Sequence, residues 1–300
     1  MAVSILLAAA TGCSATAPSG SKSLIARSPT PSTSTLPRSA PTKPPSPAAD
    51  GASSGSARTV TPFSSDLRVA LAKRPGHVSA VVEQISSGRQ WTLNPGLRAY
   101  SASIVKVPIL LAALRRARQQ GTGLSASQRA TATAMIERSD NTAATKLWRY
   151  AGGSAALSAL FSTLHMTSTT TRSSTLFEPW DGVQTSASDQ VRLLRAILDG
   201  VPGVSPPDLR FVLGLMASVE ANQRWGVPVG TPAAATAVVK NGWVPVGASG
   251  WTVNTIGVVQ DGEETYALAV LSTGSPSEAA GITAVNMVAR AVAHTRLSGR

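Results

Sequence analysis

Near residue 236 the spacing of apolar residues changes, and that change constrains the fold more than any other feature. TAVVKNGW, WTVNTIGVVQ and TYALAVLST follow one another as strand-like runs, with DGEE as the turn between the last two. Strands joined this closely pair antiparallel. The helical pattern of EAAGITAVNMVARAVAHT closes the chain. At the other end, SSDLRVALAKR reads as a helix whose first turn Ser65 can serve, and HVSAVVEQI and QWTLNP, separated by SSGR, read as a β-hairpin. Helical patterns fill the interval: the stretch from Ser103 to about Gln119, then QRATATAMIER, TAATKLWRYA, DQVRLLRAILDG and PDLRFVLGLMASV. The sequence therefore predicts one α+β unit, an antiparallel sheet flanked by terminal helices with an all-helical insertion. With 300 residues, 43% of them hydrophobic, there is material for a substantial core.

That unit is expected over residues 62–300. Residues 14–61 are Ser, Thr, Pro, Ala and Gly with scattered basic side chains. They carry too little apolar surface to offset the entropy of ordering and read as a flexible, partly polyproline tether. Residues 1–13, MAVSILLAAATGC, form a short apolar run ending in small residues and the single cysteine, Cys13. The run resembles the lipobox of a bacterial lipoprotein signal peptide, although Ala10 stands where leucine is usual and no Lys or Arg precedes it. That reading implies an exported protein, lipid-anchored at the bacterial cell membrane and reaching into the cell wall. No other stretch has the roughly eighteen apolar residues that a membrane span needs.

The formal charge is +12. Lys22, Arg27, Arg38, Lys43 and Arg58 lie in the tether against Asp50, which leaves +8 spread thinly over the rest. This distribution suits anionic polymers or a cell envelope, and no recognition helix or aromatic platform argues for nucleic acid. His77, His165 and His294 are far apart and belong to no metal-ligand motif, so neither a metal nor another cofactor is expected.

Ser103 and Lys106 stand three apart in SASIVKVP, where a helix start would hold them on one face. Spacing alone says little, since Ser19 and Lys22 repeat it in GSKS inside the tether. At a helix start, however, the Ser103 N–H falls among unpaired amides able to stabilise an oxyanion. Lys106, one turn on, is placed to ease removal of the hydroxyl proton. Downstream, ERSDNTAATKL offers Ser139, Asp140 and Asn141 just before another helix. AVVKNGWVP places Lys240, Asn241 and Gly242 on or at the end of a strand, where glycine permits close approach. Plain roles are available for several of these: a cap at Ser103 or Asn141, a solvated charge at Lys106, a structural hydrogen bond at Asp140. Lys240 on a mostly apolar strand resists such a reading, because a charge there needs a partner.

The ordered set S-x-x-K, S-D-N and K-x-G resembles the serine penicillin-recognising superfamily, most closely class A β-lactamases, over roughly residues 64–300. The resemblance implies a β-lactamase/D,D-peptidase-like fold and a serine hydrolase acting through an acyl-enzyme on a β-lactam or related amide. Ser103 would be the acylated nucleophile, Lys106 its activating neighbour, and Ser139 a proton relay to the leaving nitrogen. Lys240 would help position a substrate carboxylate, Asn141 would hold the substrate's side-chain amide, and Gly242 would shape the strand. The N–H groups of Ser103 and Trp243 would form the oxyanion hole, and Arg224, in QRWGVP, would reach the carboxylate. The implied partner is a small-molecule β-lactam or a D-alanyl peptide, with the cell wall close by and the protein a monomer.

Three departures from the family pattern bear on function. Asn241 replaces the hydroxyl residue of K-T-G, removing a hydroxyl from the carboxylate site. Only 36 residues separate Ser103 from Ser139, which implies a trimmed helical subdomain. No E-x-x-L-N segment follows Leu164. Glu178, in FEPW, reads as an exposed loop carboxylate, with a water-activating base as the alternative. Without such a base an acyl-enzyme would hydrolyse slowly. Two other functions therefore stay open: a cell-wall D,D-peptidase or penicillin-binding protein, and a non-catalytic envelope protein that binds β-lactams.

Overall fold

The computed structural model describes residues 61–172 and 177–295. The apolar leader ending at Cys13 and the tether up to residue 60, with its Ser19/Lys22 pair, lie outside the described residues.

The described chain opens with α1 (Ser65–Ala72), the hairpin β1 (His77–Gln84) and β2 (Gln90–Leu93), and a short β3 (Arg98–Tyr100). A 3-10 turn, Ala102–Val105, leads into α2 (Lys106–Gln119), followed by α3 (Ala126–Glu137), α4 (Asn141–Ala151) and α5 (Gly153–Thr163). After β4 (Gln184–Ser186) come α6 (Ala187–Asp199) and α7 (Pro206–Ala217), then β5 (Thr236–Pro245), β6 (Trp251–Asp261), β7 (Glu264–Ser275) and α8 (Glu278–His294). Five strands form one antiparallel sheet in the order β2-β1-β7-β6-β5, so the first strand pairs with the last and α1 meets α8. This is the α+β arrangement that the change of period predicts.

Every residue of β1 from Val78 to Gln84 is buried, so the sheet is covered on both faces rather than one. Helix α8 packs on β6 and β7, and α6 on β7 and β1. Helix α2 is buried at every position from Lys106 to Leu114, the mark of a core helix rather than an amphipathic surface one. Pro108 costs it little, since the first turn has no intrahelical acceptor for that N–H. Arg116 and Arg118 then sit in the last turn, where cations suit the helix dipole. Among the described residues no helix is long and apolar enough to cross a membrane.

Several expectations need correction. The cap of α1 is Ser64, whose Oγ accepts the Leu67 N–H at 3.2 Å, not Ser65. Ser103 lies in the 3-10 turn, and the α-helix proper starts at Lys106. Helix α5 escapes a periodicity reading because it follows two glycines and is rich in small residues; Gly152 ends α4 in the left-handed region and α5 restarts at once. The three-residue strands β3 and β4 are too short to show alternation. They pair with each other, and the Ser101 N–H donates to the Val183 carbonyl at 2.8 Å just beyond.

Helix α8 reaches the sheet through Gly281, where a Cβ would stand 2.4 Å from Val253 Cγ2. Gly281→Ala should therefore destabilise the protein by about 1–3 kcal/mol through overpacking, despite the roughly 1 kcal/mol that alanine gains over glycine in a helix. A urea midpoint that rises instead would show that α8 can retreat from the sheet.

Candidate active site

Ser103 stands at the N-terminal end of the buried α2, preceded by Ala102, whose backbone lies at φ +48°. Ser139, just before α4, is likewise left-handed at φ +57°. Non-glycine residues seldom adopt this region, and such strain gathers at functional sites. Asp140 caps α4, accepting the Ala143 N–H at 2.6 Å, which leaves Asn141 free of the capping role.

These elements converge on the Lys106 ammonium. Its Nζ lies 2.9 Å from Ser103 Oγ, 2.5 Å from the Ser139 carbonyl, 3.1 Å from Ser139 Oγ and 2.7 Å from Asn141 Oδ1. The side chain has 0% exposure. Burial disfavours its charged form and lowers its pKa from the ordinary 10.5 to about 7, against the opposing pull of the Asp140 and Glu178 carboxylates. The neutral amine has two N–H groups and one lone pair. The Ser139 carbonyl and Asn141 Oδ1 can only accept, so they take the two N–H groups. The lone pair is left for a hydroxyl, with Ser103 Oγ in reach. In this geometry Lys106 can accept a proton from Ser103.

Lys240 approaches from β5, also at 0% exposure, with Nζ 3.1 Å from Ser139 Oγ and 2.9 Å from the Asn241 carbonyl. Burial first, and the neighbouring Lys106 charge second, push its pKa well down. Ser139 Oγ thus bridges two buried amines, as a proton relay requires. Ala237 and Asn241 turn their carbonyls to the free edge of β5, where Arg224 Nη2 and Lys240 Nζ bind them. The two-residue repeat aims the Trp243 N–H off the same edge. Gly242 meets the 3-10 turn there: a Cβ at this position would lie 2.5 Å from the Ser103 nitrogen and 2.8 Å from that of Ile104. Only glycine lets the strand edge and the Ser103 amide face one gap.

One residue falls elsewhere than the sequence reading puts it. Arg224 donates to the carbonyls of Ala217 and Ala237 at 2.9 and 3.0 Å and is not on the wall of the Ser103 cavity. Asn241 lies on β5 as the sequence reading has it, and its side chain is taken up by neighbouring backbone. Its Nδ2 donates to the carbonyls of Gln223 and Trp225, pinning the Arg224 segment to β5.

Glu178 is half-buried, not an exposed loop carboxylate, and lines a cavity of about 230 Å³ together with Ser103 and Asn141. The Thr145 hydroxyl donates to Glu178 Oε2 at 3.0 Å, and Trp180 Nε1 donates to Thr145 Oγ1 at 3.0 Å. The Trp180 ring in turn lies 5.0 Å from Lys106 Nζ. Asp181 Oδ2 accepts the N–H groups of both Phe177 and Glu178 at 2.6 Å, fixing the loop. The β3–β4 pair then holds this loop against the Ser103 segment. Thr145, Trp180 and Asp181 carry no sequence signal for this role, since the pairing that recruits them is tertiary. Among the described residues no cluster of His, Cys, Asp or Glu could hold a metal ion.

A family model described as the beta-lactamase enzyme family matches residues 62–127 and 118–295. A comparison with curated proteins returns no significant match. Among solved structures, an ancestral class A beta-lactamase (GNCA) is similar at a TM-score of 0.64 and 22% identity, covering 77% of this chain and 98% of that one. A beta-lactamase from Xanthomonas campestris pv. campestris gives 0.64 at 20% identity, with 76% and 96% covered. PBP-A gives 0.64 at 20% identity, with 76% and 93% covered. At these identities the likeness is one of fold.

Because Lys106 must be neutral to accept a proton, labelling of Ser103 by a serine-directed phosphonate should speed up about tenfold per pH unit up to about 7, then level off. Intact-mass labelling rates across pH 5–9 (about two units either side) check this; a flat profile would remove Lys106 as the base. The same shift means that unfolded chains hold more protons between about 7 and 10.5, so this group's contribution to stability grows as pH rises through that window.

Proposed function

The chain belongs to the beta-lactamase enzyme family, and on that premise we propose that it hydrolyses β-lactams through an acyl-enzyme on Ser103. The observation that carries the reading is that Ser103, 2.9 Å from the buried Lys106 Nζ, shares one cavity with the Glu178 carboxylate. In the first half-reaction, neutral Lys106 takes the Ser103 proton as Oγ attacks the lactam carbonyl carbon. Negative charge builds on the carbonyl oxygen, between the N–H groups of Ser103 and Trp243. The C–N bond breaks, and the leaving nitrogen receives a proton from Ser139, which Lys106 or Lys240 replaces. Asn141 is placed to hold the substrate's side-chain amide.

In the second half-reaction Glu178 takes a proton from a water that attacks the ester carbonyl. As the C–O bond breaks that proton passes to the departing Ser103 Oγ, by way of neutral Lys106, which leaves Glu178 a carboxylate and Lys106 a neutral amine again. A carboxylate at this position supports hydrolysis over a stalled acyl-enzyme, and so favours a β-lactamase over a D,D-peptidase or a β-lactam sensor. Thr145 orients that carboxylate. An exported, lipid-anchored position fits a substrate met outside the cytoplasm, with Cys13 as the anchor and the segment after it as the spacer.

Intact-mass time courses with a penicillin test the sequence of events. The parent protein should show a transient adduct with hydrolysed drug accumulating, and Ser103→Ala should show neither. Glu178→Gln should still acylate but turn over at least about 100-fold more slowly, so the adduct persists. Equal turnover in Glu178→Gln would reassign the deacylating base; a persistent adduct in the parent would favour the D,D-peptidase reading.

A further inference from the structure

The described chain is poor in aromatic side chains, yet they gather at one place. Of six tryptophans and four phenylalanines in the sequence, Phe177, Trp180, Trp243 and Trp251 all line the Ser103 cavity. Trp180 is committed inward, to Lys106 and Thr145. The other three are less enclosed, Phe177 exposed and Trp243 and Trp251 half-buried. Phe177 is 71% exposed, the more exposed of two large apolar side chains that face solvent among the described residues. Solvation of so large a ring has no structural benefit, and its backbone is pinned by Asp181 rather than by packing of the ring.

The opposite wall is equally specific. Trp243 is held at its back by Trp225, with ring centroids 6.0 Å apart and planes at 60°. Trp251 stands where the β6–β7 register shifts, between Trp251 and Val253. A bulge of this kind re-aims a side chain at the end of a strand. The Phe177 ring and these two indoles thus flank the entrance to Ser103. The titratable groups of the lining are Glu178 and Asp181, both acidic, and no Lys or Arg is among them. The two lysines beneath are buried and lean toward their neutral forms. The entrance is therefore aromatic and negative.

We infer that this wall selects substrates whose acyl side chain is aromatic and neutral or cationic, gripping the ring between Phe177 and the Trp243/Trp251 pair and rejecting a side chain that carries a carboxylate. The inference rests on the acyl-enzyme reading and adds the substrate class to it. Ring-on-ring contact supplies the grip, and repulsion from the half-buried Glu178 carboxylate supplies the rejection.

The test uses the full chain and four penicillins that share one nucleus and its carboxylate but differ in side chain: benzyl, α-aminobenzyl, α-carboxybenzyl, and the free 6-amino nucleus. Second-order acylation rates at Ser103, read by intact mass, should favour benzyl and α-aminobenzyl over α-carboxybenzyl by about tenfold or more. In Phe177→Ala, whose ring is exposed and not needed for folding, the ratio of the benzyl rate to the free-nucleus rate should fall about fivefold to tenfold. Trp251→Ala should lower the same ratio. Adducts that form at rates indifferent to the side chain would overturn the inference and leave the acyl-enzyme reading intact. No adduct with any of the four would overturn that reading, and the inference with it.

Discussion

Two lysines buried on one serine hydroxyl set the terms for the rest of this structure. An ammonium removed from water is costly, and around Lys106 and Lys240 the bonding partners are hydroxyls and carbonyls. The least costly response is to give up a proton, and burial accordingly lowers the pKa of both lysines. That chemistry depends on burial and therefore on rigidity. It needs α2 as a core helix, α4 capped firmly by Asp140, and β5 held at the sheet edge. A looser site would admit water, restore the ammonium and lose the base.

The same edge strand shows how a liability becomes a binding feature. Unpaired N–H groups along a sheet edge invite aggregation and are usually blunted or covered. Here the 3-10 turn carrying Ser103 closes over β5 at Gly242, and Arg224 and Lys240 occupy two of the exposed carbonyls. What remains open is the gap between the Ser103 and Trp243 amides. The left-handed backbones of Ala102 and Ser139 belong to the same economy of space, since each turns the chain sharply enough for a neighbouring group to face Lys106.

The constellation of Ser103, Lys106, Ser139, Asn141 and Lys240 was legible before folding, because each residue sits in a motif a few positions long on a recognisable element. The α+β order was legible for a similar reason: the strand-like apolar runs of β5 to β7 and the helical run of α2 each extend over ten residues or more. Helix α5, rich in small residues, and the three-residue strands β3 and β4 carry no such signal. With them went the true position of Glu178, for the β3–β4 pair anchors its loop beside Ser103. The residues Thr145, Trp180 and Asp181 were lost together, as their roles are defined only by what they touch.

By itself, then, the sequence determined which residues could do chemistry and the order of the elements that carry them. Motif and periodicity are local properties, readable from neighbours along the chain. Only the tertiary structure decided which charges are buried, which carboxylate shares the cavity with the serine, and that Arg224 and Asn241 brace the backbone instead of lining that cavity. Desolvation and side-chain direction depend on residues such as Ser139 and Lys240, 101 positions apart, meeting at a single oxygen. No local pattern encodes that distance.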